Sequence, residues 1–137
     1  VDVKIKLKGK DQAQDQAALE VCKREAIRYL QAAVTRQACV QGAVHNCLLL
    51  LLVDGARADP AALMRYVAGA GVSSGGVAHY DQALAARSCE AAGALKAAIH
   101  IHCDVGDYDY AVDLALRVGD LDTAKLVADK VAGGDGD

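Results

Sequence analysis

The chain has 137 residues, of which 53% are hydrophobic and 24% charged, and its formal net charge is −3. This length supports one domain or one section of a longer array, and the apolar fraction is sufficient for a core. The slightly acidic balance argues against nucleic acid and anionic membranes as partners, because basic surfaces bind both. Alanine is abundant while Phe and Trp are absent, so closely packed small side chains are expected.

The first ten residues differ in pattern from the rest of the chain. Apolar and charged residues alternate from Val1 to Leu7, a period of two that is typical of a β-strand. Residues 1–10 are therefore predicted to be strand-like or disordered. One interpretation is an edge strand that pairs with a partner, and the other, which we prefer, is a frayed terminus or an artificial extension. The segment contains no continuous apolar block, so a signal peptide is not predicted and a cytosolic protein is expected.

From residue 11 to residue 132 the apolar residues follow helical spacing, whereas residues 133–137 are predicted to be a disordered tail. Asp59 and Pro60 mark one helix start, because proline is tolerated at the first helical position and aspartate can cap it. A glycine-rich stretch at 69–76 predicts a flexible loop. Helices are expected at about 14–33, 41–53, 60–67, 77–92, 94–104, 108–118 and 121–131.

Glycines punctuate the second half of the chain at intervals of thirteen residues, at Gly93, Gly106 and Gly119. A glycine just past a helix can adopt the left-handed conformation that satisfies the last carbonyl groups. Val-Gly-Asp occurs twice, which places Asp107 and Asp120 where a carboxylate caps the next helix. Short helices of this kind are buried only by stacking. The pattern therefore predicts an all-α fold, an α-solenoid of antiparallel helix hairpins, and a protein-binding role.

The segment 108–118 illustrates why stacking on more than one side is expected. Tyr108 belongs to one apolar stripe of this helix and Leu114 to a second, so most of the circumference favours burial. Asp113 precedes Arg117 by four residues, which is the favourable order for an ion pair on a solvated face. Tyr108 and Leu114 are therefore predicted to be structural residues.

Several residues of chemically reactive types are predicted to be structural. His100 and His102 diverge on a helix, so a metal site at 100–103 is not expected, and His102 is predicted to pack beside Ile99 and Leu95 in an ordinary core. No catalytic, cofactor-binding or metal-ligating residue is assigned. The five cysteines form no Cys-x-x-Cys pair and are predicted to be reduced core residues: Cys22, Cys39, Cys47, Cys89 and Cys103.

The apolar run at 47–53 is predicted to be a buried helix, because it is shorter than the roughly 20 residues that a membrane-spanning helix needs.

A family resemblance rests on residues 27–130 and is closest in the block from Gly106 through Tyr108 to the Ala-Val-Asp-Leu-Ala-Leu run at 111–116. In order and approximate spacing, this block resembles the vacuolar protein sorting-associated protein 18 family. Similar stretches occur at 27–30, 45–49, 63–66, 80–81, 85–89, 97–101 and 120–130. Ser88 and His102 depart from the family pattern, which tends to have an aliphatic and an aromatic residue there.

The resemblance implies part of a clathrin heavy-chain-repeat solenoid in a core subunit of the HOPS and CORVET tethering complexes. The implied function is a non-catalytic scaffold in vesicle-mediated transport and fusion with lysosomes or vacuoles. The implied partners are the other tethering subunits and, indirectly, Rab GTPases and SNAREs. The expected location is cytoplasmic and peripheral on late endosomes, lysosomes or vacuoles. The family's β-propeller and zinc-binding RING have no counterpart in this sequence, so ligase activity is not assigned.

Two other classes of function remain. A generic helical-repeat adaptor of a coat or cochaperone assembly would rely on the same packing with different partners. An enzyme would need a pocket with converging polar groups, whereas the sequence offers only scattered histidines.

Overall fold

The chain folds into seven α-helices and one π-helical segment over residues 2–135, the part of the backbone that the computed structural model describes. Side chains are described from residue 12 to residue 133. The elements are α1 (Asp2–Thr35), α2 (Gly42–Asp54), α3 (Pro60–Arg65), the π-helical segment (Tyr66–Ala70), α4 (Gln82–Ala92), α5 (Leu95–Asp104), α6 (Tyr108–Arg117) and α7 (Leu121–Asp135).

Neighbouring helices pack on one another along the chain, as an α-solenoid requires. The pairs α1 and α2, α4 and α5, α5 and α6, and α6 and α7 are all in contact. The stack is continuous because α2 also packs on α4, while α3 and the π-helical segment pack on α5. The predicted all-α solenoid is confirmed. Within residues 2–135 the only β-pairing is an isolated bridge between Val72 and Ala78 in the turn before α4.

The two ends of the chain differ from the sequence prediction. Helix α1 begins at Asp2, so the strand-like or disordered segment predicted for 1–10 is wrong from Asp2 onward. Lys and Leu are good helix formers, and an alternation over seven residues spans only two helical turns. Helix α7 runs to Asp135, so the tail predicted to be disordered is helical over 133–135. Val1, Gly136 and Asp137 lie outside the described residues.

The first helix extends beyond the helix it packs on. Lys23 Nζ lies 2.8 Å from Asp54 Oδ2, so Lys23 of α1 stands beside the last residue of α2. Every described side chain from Gln12 to Cys22 is exposed. This overhang explains why Cys22 is exposed, contrary to the prediction of a core residue.

The leucine-rich helix α2 lies at the centre of the first half. Leu48 and Leu49 are fully buried, as predicted for this apolar run, whereas Leu50 is 42% exposed and Cys47 is also exposed. A helix that packs on two neighbours still leaves one side in contact with solvent. Of the five cysteines, which are all free thiols, only Cys89 is fully buried.

The segment between the π-helical segment and α4 is more ordered than a flexible loop. Val77 N–H donates to Ser73 Oγ at 3.1 Å, inside the turn that the bridge closes. Helix α4 begins at Gln82, five residues later than predicted, because Asp81 Oδ1 accepts from Leu84 N–H at 3.1 Å and so fixes the cap position.

Candidate functional site

The three glycines predicted to end helices have the left-handed backbone conformation. The φ angles of Gly93, Gly106 and Gly119 are 78°, 86° and 77°. Beyond each glycine, the next N–H donates back to a carbonyl of the preceding helix, with N···O distances of 2.8 Å for Ala94, 2.9 Å for Asp107 and 2.9 Å for Asp120. This is the Schellman arrangement, which leaves few helix-end carbonyls unpaired. The same device therefore turns the chain three times at equal intervals.

The two aspartates that follow these glycines behave differently. Asp120 accepts from Thr123 N–H at 3.1 Å and from the Thr123 hydroxyl at 2.6 Å. These bonds, led by the one from the hydroxyl, lower the pKa of the Asp120 carboxyl group. Asp107 occupies the cap position of α6, but its side chain accepts no hydrogen bond from the helix, so its predicted capping role is wrong. Thr123 lies three residues after Asp120, and its hydroxyl group donates to that carboxylate. The residue at the same distance after Asp107 is Tyr110, whose side chain has no short hydroxyl group.

The two predicted structural residues of α6 face the interior to different degrees. Leu114 is 4% exposed, and Tyr108 is half-buried and packs on the core. On the solvated side, Arg117 Nη2 lies 2.6 Å from Asp113 Oδ2, and both side chains are more than half exposed. The Arg117 guanidinium also lies 5.7 Å from the centroid of the Tyr110 ring.

A polar cluster that the sequence pattern did not reveal joins α4, α5 and α6. The Tyr110 hydroxyl donates to Glu90 Oε1 at 2.6 Å, and this bond is the main cause that raises the pKa of Tyr110. The ring of His102 lies 4.5 Å from that of Tyr110, and its Nε2 lies 3.7 Å from Glu90 Oε2. His102 therefore packs between helices, with the polar groups of Glu90 and Tyr110 beside it. The cluster ties one hairpin to the next.

A second polar cluster is buried under the first half of the stack. His45 is 1% exposed and its Nε2 donates to the carbonyl oxygen of Cys39 at 2.8 Å. In this tautomer Nδ1 accepts, and the Tyr66 hydroxyl lies 2.7 Å from Nδ1 and 3.1 Å from the His45 carbonyl oxygen. Burial raises the pKa of Tyr66. His45 thus links the loop before α2 to the π-helical segment, whose first residue is Tyr66.

The residue after His45 fixes another distant segment. Asn46 Oδ1 accepts from Asp81 N–H at 2.7 Å, and Asp81 in turn caps α4. The pair His45-Asn46 therefore positions three segments: the loop before α2, the π-helical segment and the start of α4. Both residues belong to stretches that carry the family resemblance. The sequence signal for this cluster was a histidine beside a leucine-rich run, because a buried imidazole requires hydrogen-bond partners.

His100 and Cys103 of α5 line a groove of 370 Å³ between α5 and α7. His100 Nε2 is 3.2 Å from Asp104 Oδ2, one turn along the same helix. The part-buried Cys103 lines the groove, and burial raises the pKa of its thiol. Among the side chains from 12 to 133, no three His, Cys, Asp or Glu residues are placed to hold a metal ion. Positively charged lysines and negatively charged aspartates both line the groove. Its electrostatic potential therefore favours neither an anionic nor a cationic ligand.

None of the helices in the described part of the chain combines the length and the apolar character that crossing a membrane requires.

The residues that match a known protein family are nearly the same as those that form the helical stack. The sequence profile described as VPS18, alpha-solenoid domain, second half, matches residues 6–135. The chain belongs to the VPS18 family. Vacuolar protein sorting-associated protein 18 homolog of Danio rerio is 39% identical to it over 105 residues, which is 77% of this chain and 10% of that protein. No solved structure matches the chain significantly. The resemblance drawn from residues 27–130 is confirmed.

The chain spans about a tenth of the length of this curated relative. It corresponds to a section of solenoid within a far longer polypeptide in that protein. The candidate functional site of this segment is therefore the set of helix faces that pack on neighbours, together with the polar clusters between helices.

Proposed function

We propose that this chain is a non-catalytic scaffold segment of an endolysosomal membrane-tethering complex of the HOPS and CORVET type. In this role it supports vesicle-mediated protein transport and fusion with the lysosome or vacuole. The observation that carries the proposal is the match of the VPS18 solenoid profile to residues 6–135, nearly the whole chain.

The use of polar groups within the fold supports a scaffold role. The His45 and Glu90 clusters each join side chains from different helices, and their hydrogen bonds connect elements of the fold. A solenoid carries force and position through such neighbour contacts, because each unit touches only the units beside it. The polar chemistry of the described residues is thus suited to holding helices in register.

The partners in this proposal are the other subunits of the tethering complex, which contact the outer faces of the stack. Rab GTPases and SNAREs are reached indirectly, through those subunits. The proposed location is the cytoplasmic surface of late endosomes, lysosomes or vacuoles, where the complex is peripheral. The net charge of the chain is −3, whereas anionic lipids attract basic surfaces. This charge therefore favours attachment through contacts with proteins.

Affinity purification of the full-length protein that carries this segment, followed by mass spectrometry, tests the proposal. The expected result is co-purification of tethering-complex subunits at near-stoichiometric levels. Recovery of coat or cochaperone subunits in their place would contradict the proposal and favour a different helical-repeat adaptor.

A further inference from the structure

A second groove, of 520 Å³, opens between α3 and the turn that joins α4 to α5. One wall consists of residues within 56–64, from the loop before α3 and from α3 itself. The other wall is formed by residues 92–97, from the end of α4 and the start of α5. This α3–α5 groove lies where the first half of the stack packs on the second, since α3 contacts α5.

The walls of the α3–α5 groove are apolar and mostly small. Leu63 and Ala97, which are 1% and 2% exposed, close the groove toward the core. Met64 and Leu95 are half-buried, and Ala61 is exposed. Half of the residues that line the groove are alanine or glycine, so the backbone of another helix can approach these walls closely.

The charges at this groove have one sign. Arg57 and Lys96, one on each wall, are the only charged residues of the described chain that line it. Both side chains are exposed, and neither has a carboxylate at ion-pair distance among the side chains from 12 to 133. Asp120, whose charge Lys96 also stabilises from a distance, is already hydrogen-bonded to Thr123. The first turn of α5 reinforces the positive character, because Ala94 at its cap position supplies no side-chain hydrogen bond to the free N–H groups.

The groove lies inside the stack and not at one of its ends. Helix α2 packs on α3 and α4, and α6 packs on α5, so the neighbours on both sides are already in place. Each unit of a stacked array contacts only the units beside it. Polypeptide before α1 or after α7 would pack on those helices, so the α3–α5 groove stays open to a separate molecule.

A helix fits this groove better than an extended segment. Extended segments bind along a sheet edge, and the only β-pairing within residues 2–135 is the isolated bridge between Val72 and Ala78, which lies outside the groove. Proline-rich segments bind grooves lined by aromatic rings, and no aromatic residue of the described chain lines this one. An extended segment would therefore place unpaired N–H and C=O groups against apolar walls, whereas a helix satisfies its own.

We infer that the α3–α5 groove is the docking site for an amphipathic helix of a partner protein, with acidic residues beside its apolar stripe. The stripe packs on Ala61, Met64 and Leu95, and the acidic residues pair with Arg57 and Lys96. An apolar centre with a charged rim is the usual composition of a protein interface. The inference rests on the proposed scaffold function only for the identity of the protein that supplies the helix.

A display selection tests the charge of this occupant without assuming its identity. The probe is a library of helical peptides of about 18 residues, about 27 Å in length, with leucine or alanine at positions i, i+3, i+4 and i+7. The flanking positions vary equally among Glu, Gln and Lys. The target is the 137-residue chain, whose helicity is checked by circular dichroism. The selection is expected to enrich Glu over Gln and Lys at the flanking positions, because complementary charges favour association.

Variants of the target then locate the selected peptide, with affinities measured by fluorescence anisotropy. Arg57→Gln combined with Lys96→Gln is expected to weaken binding about fivefold to tenfold, because two ion pairs at the rim are lost. The matched control is Arg87→Gln combined with Lys125→Gln, which changes the net charge equally at exposed residues outside the groove and should leave the affinity unchanged. Ala61→Gln fills the groove from an exposed position, so it is expected to weaken binding at least about tenfold with little change in Tm.

Several results would overturn the inference. They are failure to select any binder, enrichment of Gln or Lys, and binding that the groove variants leave intact. A dimer of the free chain that Ala61→Gln abolishes in sedimentation would overturn it as well, by assigning the groove to a second copy. The purification experiment above uses the full-length protein and does not depend on this groove, so the two proposals fail separately.

Discussion

The two halves of the stack are held together in different ways. The hairpins from α4 to α7 turn at glycines in the left-handed conformation, and the bonds that close each turn join residues five apart in sequence. The first half depends on bonds between distant residues, such as His45 with Tyr66 and Asn46 with Asp81, which are 21 and 35 residues apart. The turns of the regular half are thus specified locally, whereas the irregular half requires particular buried partners.

The largest expected effect is the unfolding of the regular half, the hairpins from α4 to α7. Leu114→Asp places a carboxylate at a site that is 4% exposed, and an unpaired buried charge costs several kcal/mol. We expect loss of the cooperative thermal transition of the 137-residue chain, measured by circular dichroism at 222 nm. The control Asp113→Ala on the exposed side of the same helix should melt near the wild-type temperature. Similar melting of the two variants would contradict the burial assigned to this helix.

The next prediction compares the substitution of two buried tyrosines in the irregular half. Tyr66 and Tyr80 are 3% and 4% exposed, but only the Tyr66 hydroxyl has hydrogen-bond partners in the described structure. Tyr66→Phe leaves Nδ1 of His45 unpaired and should cost about 1 to 3 kcal/mol, whereas Tyr80→Phe should be neutral or stabilising. Chemical denaturation of both variants measures the difference. A cost for Tyr80→Phe as large as that for Tyr66→Phe would contradict the assignment of hydrogen-bond partners to the Tyr66 hydroxyl alone.

A smaller effect concerns the turns between hairpins. Gly106 has a φ of 86° and open space where a Cβ would stand, so Gly106→Ala introduces backbone strain without a clash, at about 1 kcal/mol. Gly69→Ala is the matched control, because Gly69 also has open space but no left-handed φ. The melting temperature should fall for Gly106→Ala alone. Equal melting temperatures would argue against a structural role for the left-handed turns.

The smallest effect distinguishes the two Val-Gly-Asp aspartates. Asp120→Ala removes a cap and should lower the melting temperature, whereas Asp107→Ala removes no capping bond and should not. Because the folded pKa of Asp120 is lowered, its contribution is present above the unfolded pKa of a carboxyl group and is lost as pH falls through the folded pKa. The gap between wild type and Asp120→Ala should therefore close in acid. A gap that persists below the folded pKa would contradict the cap.

The sequence predicted those parts of the fold whose causes are local. The glycine interval and the helical apolar pattern were sufficient for the solenoid class and for the hairpins after residue 82. The strand-like or disordered segment predicted for 1–10 was wrong from Asp2 onward, because the short alternation is part of one continuous helix that runs to Thr35. Capping by Asp107 was wrong because the cap also depends on side-chain geometry that spacing does not define.

The polar clusters could not be predicted because their members come from separate elements. Glu90, His102 and Tyr110 belong to three helices, and only the packing of α6 on the preceding hairpin brings them together. The role of Tyr66 likewise depends on where the π-helical segment places its ring. A side chain at Gly71 would displace this ring, since a Cβ at this residue would lie 2.8 Å from a carbon atom of the Tyr66 ring.

The central claim is that this segment acts through packing and assembly and that its reactive side chains are dispensable. The most direct measurement is recovery of the tethering complex on affinity purification of the full-length protein with either of two changes. Leu114→Asp is expected to abolish recovery, whereas His100→Ala combined with Cys103→Ser is expected to retain it in full. Loss of the complex or of trafficking with the second variant, in a protein that remains folded, would contradict the claim and assign a chemical function to the groove between α5 and α7.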